Sequence, residues 1–209
     1  MRKACLQLAA GCGVLLLISA CSTVPLGDEE MSARAALHDG KQKRLVQRRN
    51  WSLEGRLAVR DENDGGSGHL NWQQGDQESR MDFHGALGRG AWRLQASRFG
   101  AELELADGTR YQAPNVDLLV QQQLGWQIPV ETLAWWVRGL AAPEDFDQRE
   151  LDQDGNLLLL SQRGWQIEYG RYSQVGGIAM PVKMTARQAD KSVKLAIRNW
   201  EFGNQQVND

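Results

Sequence analysis

Residues 101–112 read AELELADGTRYQ, and this stretch decides the fold class. Leu103 and Leu105 alternate with glutamates, as the two faces of a half-buried β-strand require. Asp107-Gly108 is typical of a two-residue hairpin turn, and residues 109–112 would supply the return strand. The stretch therefore predicts antiparallel β-structure.

The same alternation recurs on both sides of this hairpin. Apolar residues alternate with polar ones from Trp51 to Val59 and again from Trp165 to Tyr169, and Asp154-Gly155 forms a second turn signal. Short strands at hairpin spacing predict an antiparallel sheet that curls into a barrel or half-barrel. Two short helices are predicted after Pro114 and Pro129, where they would cover one side of the sheet or plug one mouth.

The N-terminal residues predict export and lipidation. A short basic start, Arg2-Lys3, precedes an apolar stretch over residues 6–18, which suits a signal peptide and is too short for a membrane span. Small residues before Cys21 resemble a lipoprotein cleavage site, which implies acylation of Cys21. An ordinary secretory signal that happens to contain this cysteine is the alternative.

The domain organisation follows from this cleavage site. We expect a signal peptide over 1–20, a lipidated N-terminus and tether over 21–28, and one domain over 29–209. The polar residues 29–49 are compatible with a helix that Gly40 interrupts. The other two cysteines leave with the signal peptide, so we expect no internal disulfide and no thiol or cysteine–metal site.

Composition and motifs exclude several classes of function. A net charge of −2 argues against nucleic-acid binding, and the sequence holds neither a P-loop nor a GxSxG motif. His69 and His84 bracket a predicted hairpin, but no third metal ligand follows. The acidic residues 144–155 half-resemble a calcium loop, yet Ser161 stands where glutamate is required, so a polar loop is predicted. We expect no enzyme activity, cofactor or metal.

Eight tryptophans leave two interpretations open. They could fill a solid core, or they could line a cavity for an acyl chain, since such a cavity is apolar with few polar groups. Periodicity alone does not choose between the two.

Several segments together resemble the LolB family, the outer-membrane lipoprotein receptors of the lipoprotein-sorting (Lol) pathway. They are residues 51–59 (WSLEGRLAV), 70–74 (LNWQQ), 85–88 (GALG), 125–130 (GWQIPV), 133–140 (LAWWVRGL), 162–169 (QRGWQIEY) and 197–200 (IRNW). Their order and spacing carry the resemblance from the lipoprotein cleavage site to Trp200. Ala86 departs from the pattern, because the family usually has proline there.

The resemblance implies a mainly β fold, a half-open curled antiparallel barrel with short helices over an apolar cavity. It also implies a function: the chain would be a monomer, receive acylated lipoproteins from the periplasmic carrier LolA, and insert them into the outer membrane without nucleotide hydrolysis. Ser22 resembles an outer-membrane address, so the protein would be anchored there through Cys21 and face the periplasm.

Two sets of site residues follow from the resemblance. A loop of Gly85, Ala86, Leu87 and Gly88 would touch membrane lipids through Leu87. The cavity lining is expected to be Trp72, Phe83, Leu94, Leu103, Leu105, Leu119, Trp136, Leu140, Trp165 and Tyr169, although a register slip of one residue would turn any strand's set outward.

Two alternatives come from other classes of function. An envelope scaffold lipoprotein would have a solid tryptophan core and no acyl-binding cavity. A periplasmic hydrolase would need a nucleophile and a base that converge in a pocket, and no such pattern occurs in the sequence.

Overall fold

The computed structural model describes residues 27–61, 65–85 and 90–203. Within these ranges the chain forms one eleven-stranded sheet and three helices. In chain order the elements are α1 (Asp28–Gln47), β1 (Trp51–Arg60), β2 (Gly65–Gln74), β3 (Glu78–Gly85), β4 (Trp92–Ser97), β5 (Gly100–Leu105), β6 (Arg110–Ala113), α2 (Val116–Leu124), α3 (Val130–Trp136), β7 (Gln148–Leu151), β8 (Leu157–Gln162), β9 (Trp165–Val175), β10 (Ile178–Gln188) and β11 (Lys191–Phe202).

The sheet is antiparallel throughout and open. Its strand order is β6-β5-β4-β3-β2-β1-β11-β10-β9-β8-β7, so the first and last strands of the chain meet in the middle and pair. The edge strands β6 and β7 do not pair with each other among the described residues, and the barrel therefore stays half-open. This confirms the predicted fold class.

The core lies on one face of the sheet. In β1, Trp51, Leu53, Leu57 and Val59 are buried, as their alternation predicts. Gly55 lies on the same face of β1, and glycine is needed there because a Cβ would overlap the carbonyl oxygen of Ala196 on β11. The paired β1 and β11 can thus approach closely at the centre of the sheet.

Helices α2 and α3 cover this apolar face. Leu119 and Val120 of α2 and Leu133 and Trp136 of α3 are buried against it. The Asn115 side chain caps α2 by accepting a hydrogen bond from the Leu118 amide at 2.8 Å. The two predicted helices therefore form, and they cover one side of the sheet.

Helix α1 docks on the hairpin between β7 and β8 through polar contacts. Arg34 Nη1 donates to the Leu151 carbonyl at 3.1 Å, and Lys41 Nζ donates to Asn156 Oδ1 at 2.8 Å. His38 Nδ1 lies 3.0 Å from the Gly155 carbonyl oxygen. None of the described helices combines the length and the apolar character that a transmembrane span needs.

Two expectations about secondary structure were wrong. Gly40 does not interrupt α1, because it faces solvent, where glycine costs only about 1 kcal/mol relative to alanine, and docked residues flank it. The acidic segment expected to be a loop contains strand β7, which pairs with β8 from Gln148 to Leu151. Pairing with the apolar β8 stabilises a segment whose own pattern is weak.

Candidate functional site

An open groove lies between α3 and the ends of strands β1 to β4. Its volume is about 810 Å³, which is within the range of ligand-binding clefts. Apolar side chains form its inner wall, and charged side chains such as Asp76 and Glu131 stand at its solvent-exposed rim. A long apolar ligand could therefore lie along the wall with a polar end toward solvent.

A second, inner cavity lies deeper under α2 and α3. All of its lining side chains are apolar, and its volume is only about 30 Å³, the share of one water molecule in the liquid. Four side chains line both the inner cavity and the open groove: Trp72, Met81, Leu94 and Val130. These four side chains form an apolar partition between the groove and the inner cavity.

Tryptophans with satisfied polar groups support the groove wall. The Trp51 ring lies 5.2 Å from that of Trp72 and 5.6 Å from that of Trp200, centroid to centroid. Trp72 Nε1 donates to Ser79 Oγ at 2.9 Å, and Trp200 Nε1 donates to the Pro181 carbonyl at 2.7 Å. The indole N–H groups are thus bound, and the ring faces remain available for apolar contact.

A second aromatic group lies at the other end of β3 and β4. Phe83 and Trp92 pair across the two strands and stack at 5.1 Å with an angle of 15° between their planes. Trp126 packs its ring against both at steep angles, 6.3 Å from Phe83 and 6.1 Å from Trp92. These three rings pack together beside the end of β3 and the start of β4.

Buried polar groups fix α3 to the sheet. The wholly buried Gln162 accepts hydrogen bonds at Oε1 from Trp136 Nε1 and from the Ala142 amide, both at 2.9 Å. Tyr169 donates its hydroxyl proton to the Trp136 carbonyl at 2.9 Å, and burial raises the pKa of this phenol, so it remains a donor. Asp117 Oδ1 accepts from the Val130 amide at 2.7 Å and so joins α2 to α3.

The predicted lining residues divide between the cavities and the core. Trp72 and Leu94 line both cavities. Leu105 is half-buried, and seven others are buried elsewhere in the core: Phe83, Leu103, Leu119, Trp136, Leu140, Trp165 and Tyr169. Sequence reasoning missed Met81 and Val130 of the partition. Met81 lies two residues before Phe83 on the same face of β3, and that spacing could have identified it.

His69 and His84 lie side by side, but among the described residues no further metal ligand joins them. His69 and His84 are directly opposite each other in β2 and β3, and both are exposed. Among the described residues, no group of three histidine, cysteine, aspartate or glutamate side chains is placed to hold a metal ion.

Most residues of the predicted membrane loop and lipid anchor lie outside the described residues. Gly85 ends β3, whereas Ala86, Leu87 and Gly88 fall in the gap between 85 and 90. Cys21 and the signal peptide precede residue 27. Their roles therefore stay predictions.

Comparison with known proteins supplies the family. The model of the family "Outer membrane lipoprotein LolB" matches residues 49–200. A relative from Pseudomonas paraeruginosa, named outer-membrane lipoprotein LolB, is 36% identical over 94% of this chain and 96% of its own length. A relative of the same name from Pseudomonas fluorescens is 40% identical over 72% of this chain and 74% of its own length.

Among solved structures, a LolA superfamily protein from Nitrosomonas europaea has a similar fold. Its TM-score is 0.53 at 7% identity, over 83% of this chain and 94% of that one. This likeness concerns the fold alone, whereas the sequence matches cover most of the domain. The chain therefore belongs to the LolB family of outer-membrane lipoproteins.

Proposed function

We propose that this protein receives acylated lipoproteins from the periplasmic carrier LolA, shields their acyl chains in its apolar interior, and inserts them into the outer membrane without nucleotide hydrolysis. Membership in the family supports a role in lipoprotein sorting and a place at the outer membrane. The observation that carries the finer proposal is the open groove, which shares four lining side chains with a wholly apolar cavity.

The free energy of hydration explains why such a cargo needs a binding protein. Burial of one CH₂ group is worth about 0.8 kcal/mol, so a sixteen-carbon chain is stabilised by on the order of 12 kcal/mol when it leaves water. An acyl chain would hence not cross an aqueous space unaided at a useful rate. A cavity that shields the chain, followed by a bilayer that shields it fully, gives a downhill path.

The partition is suited to opening. Met81 has three rotatable bonds and a polarisable sulfur, so it can adopt other rotamers at little cost. Its neighbour Trp72 is held by one hydrogen bond to Ser79, near the rim of the groove. Rotation of Met81 would join the 810 Å³ groove to the inner cavity and let an acyl chain extend beneath α2 and α3.

The acceptance step can be tested with a matched pair of variants. Leu94 and Leu103 face each other across β4 and β5 and are equally buried, but only Leu94 lines the two cavities. Acylated lipoprotein bound to LolA would be mixed with the full chain carrying Cys21→Ala, and co-purification of the cargo would be measured. We expect Leu94→Gln to lose cargo at least about tenfold relative to Leu103→Gln at equal folded fraction. Equal loss in both variants, or no transfer to the parent chain, would refute acceptance in this interior.

The membrane step involves the predicted anchor and loop. Acylated Cys21 would hold the protein at the outer membrane facing the periplasm, and Leu87 would reach the lipid from the connection between β3 and β4. A leucine contributes only about 1.5–3 kcal/mol on burial, too little to anchor a protein. We therefore assign Leu87 a local role, the disturbance of lipid packing where the cargo leaves.

The scaffold alternative is favoured by one observation. In this structure the inner cavity of about 30 Å³ is too small to hold an acyl chain. A solid tryptophan core, as the scaffold alternative assumes, would leave only such a small cavity. Failure of the parent chain to bind any acylated cargo would favour this alternative.

A further inference from the structure

Arg138 stands at the apolar wall of the open groove as a buried cation. It follows α3, lines the groove and is only 7% exposed. Its guanidinium carbon lies 4.9 Å from the ring centroid of Trp135 and 5.7 Å from that of Trp51. The charge thus lies close to two aromatic rings, where cation–π attraction stabilises it.

The hydrogen bonds of Arg138 leave part of its guanidinium unused. Nε donates to the Ala134 carbonyl at 3.0 Å, and Nη1 donates to the Leu45 carbonyl at 3.3 Å. Nη2 makes no hydrogen bond to any residue within the described ranges, although a guanidinium has five N–H donors in all. Two carbonyls position the group, and the Nη2 donors of this groove-lining residue remain unused.

No carboxylate of the described residues neutralises this charge. The acidic side chains that line the groove, Asp76, Glu78 and Glu131, are exposed at its rim, and Asp76 is 4.0 Å from Arg49. Burial lowers the pKa of Arg138 to about 10, so the group is still protonated at neutral pH. A buried charge without a counter-ion is unfavourable, and an anion that enters the groove would relieve this.

We propose that the groove binds a long-chain fatty acid, whose carboxylate pairs with Arg138 and whose alkyl chain lies against Trp72, Met81 and Leu94. The apolar wall supplies the surface for the chain, and the free donors of Arg138 supply the polar contact at its end. We choose a carboxylate because Arg138 is the one buried cation among the described residues that line the groove, whereas Arg49 and Arg98 are exposed, and a single guanidinium matches a singly charged carboxylate. This site goes beyond the proposed function, because acyl groups attached to a lipoprotein as esters or amides carry no charge.

Three ligands with the same twelve-carbon chain test the proposal: laurate, dodecanol and dodecyl phosphate. Their binding to the full chain carrying Cys21→Ala would be measured by calorimetry and by the fluorescence of the tryptophans beside Arg138. We expect laurate to bind about tenfold more tightly than dodecanol, a difference of about 1.4 kcal/mol, because a charge-assisted hydrogen bond is stronger than a neutral one. Arg138→Gln should abolish this preference by weakening laurate binding far more than dodecanol binding, and Arg138→Lys should retain part of it.

The control separates a ligand contact from a packing role. Arg163 also contacts the α3 segment, through a 2.8 Å hydrogen bond from Nη1 to Thr132 Oγ1, but does not line the groove. Arg163→Gln should keep the full preference for laurate. Equal losses of laurate and dodecanol in Arg138→Gln would overturn the proposal in favour of a structural role. Equal binding of both ligands to the parent chain would also overturn it, and tighter binding of dodecyl phosphate than laurate would overturn the choice of a carboxylate.

Discussion

Replacement of Gln162 by leucine should destabilise the protein strongly. Leucine has a side-chain volume close to that of glutamine. The substitution removes the oxygen that accepts hydrogen bonds from the Trp136 indole N–H and the Ala142 amide. It also removes the amide group that donates to the Ala142 and Glu144 carbonyls. A buried donor without a partner costs about 1–3 kcal/mol, so two stranded N–H groups cost about 2–6 kcal/mol. That loss is a large part of a typical total stability of about 5–15 kcal/mol.

The assay is unfolding in urea, followed by tryptophan fluorescence. The matched control is Gln112→Leu, because the exposed Gln112 makes one hydrogen bond, from Nε2 to Glu102 Oε2 at 2.8 Å. We expect the control to change the free energy of unfolding by less than about 0.5 kcal/mol. A loss below about 1 kcal/mol for Gln162→Leu would show that Gln162 does not hold α3 to the sheet as the hydrogen bonds indicate.

Three further predictions concern contacts elsewhere in the fold. Burial lowers the pKa of Lys41 from 10.5 to about 8, so between pH 8 and 10.5 the unfolded chain binds more protons than the folded chain. The free energy of unfolding of the parent should therefore rise from pH 7.5 to 9. A rise of the same size in Lys41→Met would contradict this. Asp117→Ala removes the acceptor of the Val130 amide and should lower the free energy of unfolding in urea by about 1 kcal/mol. An unchanged unfolding midpoint would show that Asp117 does not stabilise the contact between α2 and α3. Gly68→Ala would place a Cβ against the carbonyl oxygen of His84 and should cost about 1–3 kcal/mol, and a neutral effect would mean that β2 and β3 can separate there.

The fold could be predicted where side-chain alternation is strong. Trp51 to Val59 shows one buried face in its sequence, and the structure buries that face. Strand β7 could not be predicted, because Gln148-Arg-Glu-Leu151 has one apolar residue and owes its conformation to pairing with β8. The interruption of α1 at Gly40 was predicted wrongly for a related reason. Helix propensity does not take into account the polar contacts of His38 and Lys41, which dock α1 on both sides of Gly40.

The site was harder to predict than the fold. Alternation places Leu94 and Leu103 on the buried face equally well, and both are buried. Only the packing of α2 and α3 decides that Leu94 faces a cavity whereas Leu103 contacts other core residues. The position of Arg138 close to two indole rings likewise depends on how the segment after α3 meets the groove, which no sequence period specifies.

The most direct test of lipoprotein delivery is the transfer of cargo from LolA to liposomes, without nucleotide, in the presence of this protein. Leu87→Glu would be compared with Leu158→Glu, which alters an exposed leucine of β8. The proposed function predicts that the parent and Leu158→Glu deliver cargo to the liposomes, and that Leu87→Glu accepts cargo but leaves it undelivered. Absence of cargo transfer to the folded parent chain from a functional carrier would contradict the proposed function.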